Sequence, residues 1–120
     1  MVVSRLITSA DAATTVAAID VPAGTLVTGV WIVITTALTG GTPAWNIGDG
    51  DDTDGWIATA DITEATAGTY KGIAAGTAAY SNTGRYYASA DTIDVIVTTG
   101  LTAGSAFIVA KMLTVDEAII

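Results

Sequence analysis

Residues 25–37 read TLVTGVWIVITTA, and this stretch decides the fold class. It concentrates β-branched and aromatic side chains, the types that fit a pleated, packed surface. Alternation places Leu26, Val30, Ile32 and Ile34 on one face and Val27, Trp31 and Val33 on the other. Apolar side chains on both faces predict a strand buried on both sides. Gly29 in its middle predicts a bulge or a close backbone approach. Just upstream, Pro22-Ala23-Gly24-Thr25 has turn chemistry, with Pro fixing one dihedral and Gly free to take positive φ.

Working outward, residues 14–21 (TTVAAIDV) read as a strand that stops at Pro22, which cannot donate to a ladder. Residues 2–9 (VVSRLITS) read as an edge strand or N-terminal arm, so residues 1–13 are set apart from a sandwich domain over 14–120. Downstream, 44–47 and 56–60 read as two short strands joined by an acidic loop. Residues 62–84 offer only Tyr70 and Tyr80 as large anchors, and 73–79 fits a weak strand or a long loop. Tyr86-Tyr87 opens another strand. In 92–98, Ile93, Val95 and Val97 point inward and Asp94 outward; in 105–113, Phe107, Val109, Lys111 and Leu113 share a face. About eight strands at roughly 8–12-residue spacing predict an all-β, single-domain antiparallel β-sandwich or jelly roll. The expected core unites Trp31, Ile32, Ile34, Val95, Val97, Phe107 and Val109.

Composition narrows the function. The chain has 120 residues, 51% hydrophobic and only 13% charged, against a typical charged share of about 25%. A disordered chain and a coiled coil are both excluded. Arg5, Lys71, Arg85 and Lys111 face twelve acidic residues, for a net charge of −8. Nucleic acid and anionic membrane are therefore not expected partners. The longest apolar run, Val30 to Ile34, is far short of the ~20 residues of a membrane span, and the start lacks the apolar core of a secretion signal. With neither Cys nor His in the chain, thiolate chemistry, closed zinc sites and Ser–His triads are excluded. No phosphate-binding loop or nucleophile elbow occurs. The chain is not expected to be an enzyme.

Asp49, Asp51, Asp52 and Asp54 lie within six residues, interleaved with Gly50 and Gly55. Such a loop reads as a solvated hairpin tip, with no cofactor. The lesser alternative is a calcium site on these four carboxylates, since hard oxygen ligands suit that ion; the spacing is not that of an EF-hand. Trp45 and Trp56 bracket the loop and read as a cross-strand pair packed across a hairpin. Their alternative is an exposed carbohydrate platform. Of the adjacent Tyr86 and Tyr87, one must point in and the other out, and Tyr87 is a candidate for contact with a partner.

The order of several segments resembles small structural proteins of tailed bacteriophages, of the capsid decoration (cement) type. The pieces are IDVPAGTLVTGVWIVITTAL (19–38), WNIGDGDDTDGWI (45–57), AGTYKG (67–72), RYYASADTIDVIVTT (85–99) and LTAGSAFIVAKML (101–113). The resemblance implies a virion protein on the capsid surface, partnered by the major capsid protein and by itself as a homotrimer, with no catalytic residues. The ends are too apolar to be free: Val2, Val3, Leu6 and Ile7 at one, Ile119 and Ile120 at the other. They are expected to order against a neighbouring subunit or the shell. Alternatives are a carbohydrate- or surface-binding module of a phage fibre, or a tail or head-completion structural protein.

Overall fold

The computed structural model describes residues 1–8, 11, 15–40, 43–72, 78–97 and 102–115. Eight strands follow one another: β1 (Val2–Thr8), β2 (Thr15–Val21), β3 (Thr25–Thr39), β4 (Trp45–Gly48), β5 (Gly68–Tyr70), β6 (Arg85–Tyr87), β7 (Asp91–Val97) and β8 (Ala103–Thr114). They form two antiparallel sheets. The larger has the order β1-β8-β3-β5, with β6 also on β3, and the smaller is β2-β7-β4. Most connections cross from one sheet to the other, so the core forms between them. Among the described residues the fold is all-β, apart from a 3-10 turn at Thr59–Asp61 and a single 3-10 position at Asp11.

The long stretch read first is the spine. β3 pairs with β8 from Thr25↔Thr114 to Thr39↔Ala103, and its register shifts between Val27 and Gly29. The shift is the bulge that Gly29 foretold, and it moves the inward set. Before it Val27 points in; after it Val30, Ile32 and Ile34 do. Leu26, Trp31 and Val33 are left outside, half-buried, so β3 is covered on one face only. A side chain on Gly29 would come within 2.7 Å of the Trp31 ring, so the glycine is what lets the indole lie flat on the strand.

On β8 the inward residues are Ala106, Ile108, Ala110 and Met112. Phe107 and Leu113 are exposed, and Val109 is half-buried. The expected core is therefore corrected. Ile32, Ile34, Val95 and Val97 are buried together, whereas Trp31, Phe107 and Val109 lie on the outer face of the larger sheet. Lys111 shares that face by alternation, and a face carrying an ammonium without a carboxylate partner among the described residues is not the one that goes inward. Small Ala106 and Ala110 are buried in one cluster with the large side chains of the smaller sheet, among them Trp45, Ile47, Ile93 and Val95.

β1 is an edge strand on β8 of the same chain, from Val2↔Lys111 to Thr8↔Ser105. Its inward Arg5 sits at the mouth of the sandwich, donating to the Ala17 carbonyl at 2.9 Å and to Asp11 at 3.2 Å. The expected strand 56–60 is a single bridge, Ile47↔Ile57, running into the 3-10 turn. β5, unforeseen, pairs Thr69 with Val33. Most of the 73–79 stretch lies outside the described residues.

Candidate functional site

The acidic loop leaves β4 at Gly48 and packs onto β6. A side chain on Gly48 would stand 2.1 Å from the Asp52 carbonyl oxygen, so only glycine lets the loop close here. Asp49 is the pivot, 1% exposed. Its Oδ1 accepts the backbone N–H groups of Asp51 and Asp52, both at 3.0 Å, and the Tyr80 hydroxyl at 3.4 Å. Its Oδ2 accepts Arg85 Nη1 at 2.5 Å and the Tyr87 hydroxyl at 2.7 Å. Asp49 is thus not solvated; it is a buried anion whose lone pairs are all addressed.

Arg85 balances that charge. Its Nη2 reaches Asp51 at 2.5 Å and its Nη1 also donates to the Tyr80 hydroxyl. Its guanidinium carbon lies 4.7 Å from the centre of the Tyr80 ring and 4.9 Å from that of Tyr87, so two aromatic rings flank the cation. Trp56 completes the cluster. Its indole N–H donates to the Tyr87 hydroxyl at 3.1 Å, and its ring meets Tyr80 edge-on at 5.3 Å. A side chain on Gly55 would collide with the Tyr80 ring at 2.3 Å, which explains the glycine there.

The electrostatics follow the geometry. Burial first, and then the Asp49 charge, push the Tyr80 phenol up to about 12. Burial and the hydrogen bond to Asp49 hold Tyr87 well above the usual phenol range. For Arg85 burial opposes the charge, but the Asp51 hydrogen bond and Asp49 outweigh it and hold the guanidinium charged. Nearby, burial raises Asp94, helped by the charges of Asp91 and Asp49. Asp54 is raised first by its contact with Asp52, then by burial.

Asp49, Asp51 and Asp91 each bring a carboxylate oxygen within 4.8 Å of the others. This is not the set expected from the sequence, because Asp52 and Asp54 do not converge with it; the Asp52 side chain instead accepts the Asp54 N–H at 3.3 Å. The guanidinium of Arg85 already lies against two of the three carboxylates and supplies the positive charge a cation would bring. A cleft of about 400 Å³ opens beside the cluster, lined by Asp51, Arg85, Tyr87, Ser89 and Asp91 among others. Ser89 shares the cleft with the carboxylates of Asp51 and Asp91 and, in a chain without histidine, with no imidazole. The arrangement fastens a loop to a strand.

Trp45 and Trp56 are both fully buried. An exposed carbohydrate platform on them is therefore contradicted: they fill the end of the core, where the Trp45 indole N–H has no hydrogen-bond partner among the described residues. Of the residues expected to meet a neighbour, Ile7 is 1% and Tyr87 3% exposed, both inside the chain. Tyr86 is the outward member of its pair. Val2 and Leu6 are exposed and Val3 is half-buried. Ile119 and Ile120 lie outside the described residues.

No protein-family model matches the chain, and no curated protein sequence matches it. Solved structures do. One match is a chain of the acidic stable capsid structure of Helicobacter pylori bacteriophage KHP30, with a TM-score of 0.66 and 9% identity over 97% of this chain and 92% of that one. Another is a chain of the capsid asymmetric unit of cyanophage Pam1, with a TM-score of 0.65 and 15% identity over 97% and 84% of the two chains. The shared property is the fold, kept nearly end to end.

Proposed function

We propose that the protein is a bacteriophage capsid decoration (cement) protein: a homotrimer on the outer surface of the head that binds the major capsid protein and stabilises the shell. The observation that carries this reading is the full-length likeness to chains of two phage capsids, over 97% of this chain and 92% and 84% of theirs. Coverage that high on both sides means the matched chains are of this chain's own size. What is similar is a whole small subunit and not one domain of a large one.

The physical properties suit the role. A protein that binds the assembled shell but not its separated subunits stabilises the assembly by mass action. A net charge of −8 keeps such a protein soluble until it docks. The described residues bring together no catalytic constellation, and the fibre reading loses its support with the burial of Trp45 and Trp56. The test is co-sedimentation of the purified protein with heads that lack it. Saturable binding, with heads that then resist heat or low salt better, supports the reading. Protein that stays in the supernatant overturns it.

A further inference from the structure

The outer face of the larger sheet is apolar in a way the core does not require. Register aligns Leu6, Phe107 and Val33 in one row across β1, β8 and β3, with Val109 and Trp31 in the next. Of the six large hydrophobic side chains exposed among the described residues, five stand on this face (Val2, Leu6, Tyr86, Phe107 and Leu113), and the sixth, Met1, immediately precedes the same edge strand. A contiguous apolar sheet face on a small protein marks an interaction surface.

Charge says what covers it. The two arginines are paired with carboxylates, Arg5 with Asp11 and Arg85 with Asp49 and Asp51. The two lysines both belong to the apolar face: Lys111 on β8, and Lys71 with its ammonium 5.0 Å over the Trp31 ring. Neither has a carboxylate partner among the described residues, and no described carboxylate stands on this face. Asp20, Asp94 and the Asp49 cluster lie on the smaller sheet and its loops. Copies of a chain with a net charge of −8 repel one another. They approach with least repulsion through the one side that carries no described carboxylate.

We infer that the outer face of the larger sheet is the self-association surface, turned toward the trimer axis and covered by the neighbouring copies of this chain. This deepens the homo-oligomer part of the proposed function and rests on it, but its test needs no heads. Burial of Leu6, Phe107 and Trp31 between copies drives the contact, and the smaller, acidic sheets all face outward from the axis. Because the repulsion to be overcome is between net negative molecules, added salt strengthens the association.

The experiment is sedimentation equilibrium of the wild type, Phe107→Glu and Leu6→Glu at low and high salt, with Asp20→Lys on the smaller sheet as control. Thermal unfolding checks that each variant is folded. The wild type and Asp20→Lys are expected to associate, more strongly in high salt, and both face variants to be folded monomers. The cysteine-free sequence allows a second readout that needs no disruptive change. Ser4→Cys, on the outer face of β1, is expected to react slowly with a maleimide in the oligomer and quickly on dilution to monomer. A monomeric wild type, or face variants that associate as the wild type does, overturns the inference. If the wild type is monomeric but Phe107→Glu abolishes binding to heads, the face belongs to the shell and not to a second copy, while the decoration function stands.

Discussion

Arg85 Nη1 and Asp49 Oδ2, 36 residues apart in sequence, meet at 2.5 Å in a site where the carboxylate side chain has no exposure. This pair fixes the acidic loop to β6, and through Tyr87 and Trp56 it ties the loop to the core. Breaking a buried pair from one side leaves a charge without compensation, at about 3–5 kcal/mol. Arg85→Ala should fall near the lower end, because the arginine side chain is a quarter exposed. Asp49→Ala also strands the Tyr87 hydroxyl and two backbone N–H groups, and should cost at least as much. Urea denaturation of the two variants and of the double variant checks this; the double change should cost less than the sum.

The phenols give an alkaline signature. Tyr80 and Tyr87 bind their protons more tightly folded than unfolded. Their contribution is complete below the unfolded value near 10 and is lost as pH rises through the folded values. For buried Tyr87 stability should fall by roughly 1.4 kcal/mol per pH unit above that point. Tyr87→Phe should flatten the fall, read by denaturation at a series of alkaline pH values with phenolate absorbance followed in parallel.

Asp94 works at the acid end with the same sign. Its folded value is raised above 3.8 by burial and by neighbouring carboxylates. Protonation therefore favours the native state, and that contribution is lost as pH rises through the folded value. Asp94→Asn keeps an oxygen to accept the Thr92 hydroxyl, now at 2.6 Å, and removes the charge. The variant should melt higher than the wild type at neutral pH, and the two should converge at pH values below the unfolded one.

The tryptophans separate core from face. Trp45→Ala empties a fully buried site and should cost about 3–5 kcal/mol through lost transfer energy and a cavity. Trp31→Ala removes a half-buried ring from the outer face and should cost clearly less in the monomer. Equal costs by chemical denaturation would contradict the placement of Trp31 outside.

Calcium should leave the thermal midpoint unchanged relative to excess EDTA, because Arg85 already sits against Asp49 and Asp51. A rise with calcium that disappears in Asp51→Asn would show that the guanidinium gives way to an ion.

The strands were legible wherever local pattern alone decides. TLVTGVWIVITTA announced β3, Gly29 announced its bulge, and Pro22 to Gly24 announced a turn in which Gly24 takes φ of +78°. Which face of β3 goes inward was not legible by simple alternation, because the bulge changes the parity between Val27 and Val30. For β8 a usable signal existed: Lys111 shares a face with Phe107 and Val109, which marks that face as the outer one. The buried cluster could not be read from the acidic loop by itself. Tyr80, Arg85 and Tyr87 lie 31, 36 and 38 positions from Asp49, and only the fold brings a cation and two phenols to a carboxylate that otherwise looks solvated. The fully buried Trp45 and Trp56 carry the same lesson, since aromatic residues beside acidic ones suit a sugar platform and a core equally well until burial is known.

Cryo-electron microscopy of heads with and without the protein tests its place on the particle most directly. Difference density of this sandwich's size is expected on the outer surface of the shell, repeated at symmetry-related positions and in contact with the major capsid protein. Density confined to the tail, density inside the shell, or heads identical in both states would contradict it.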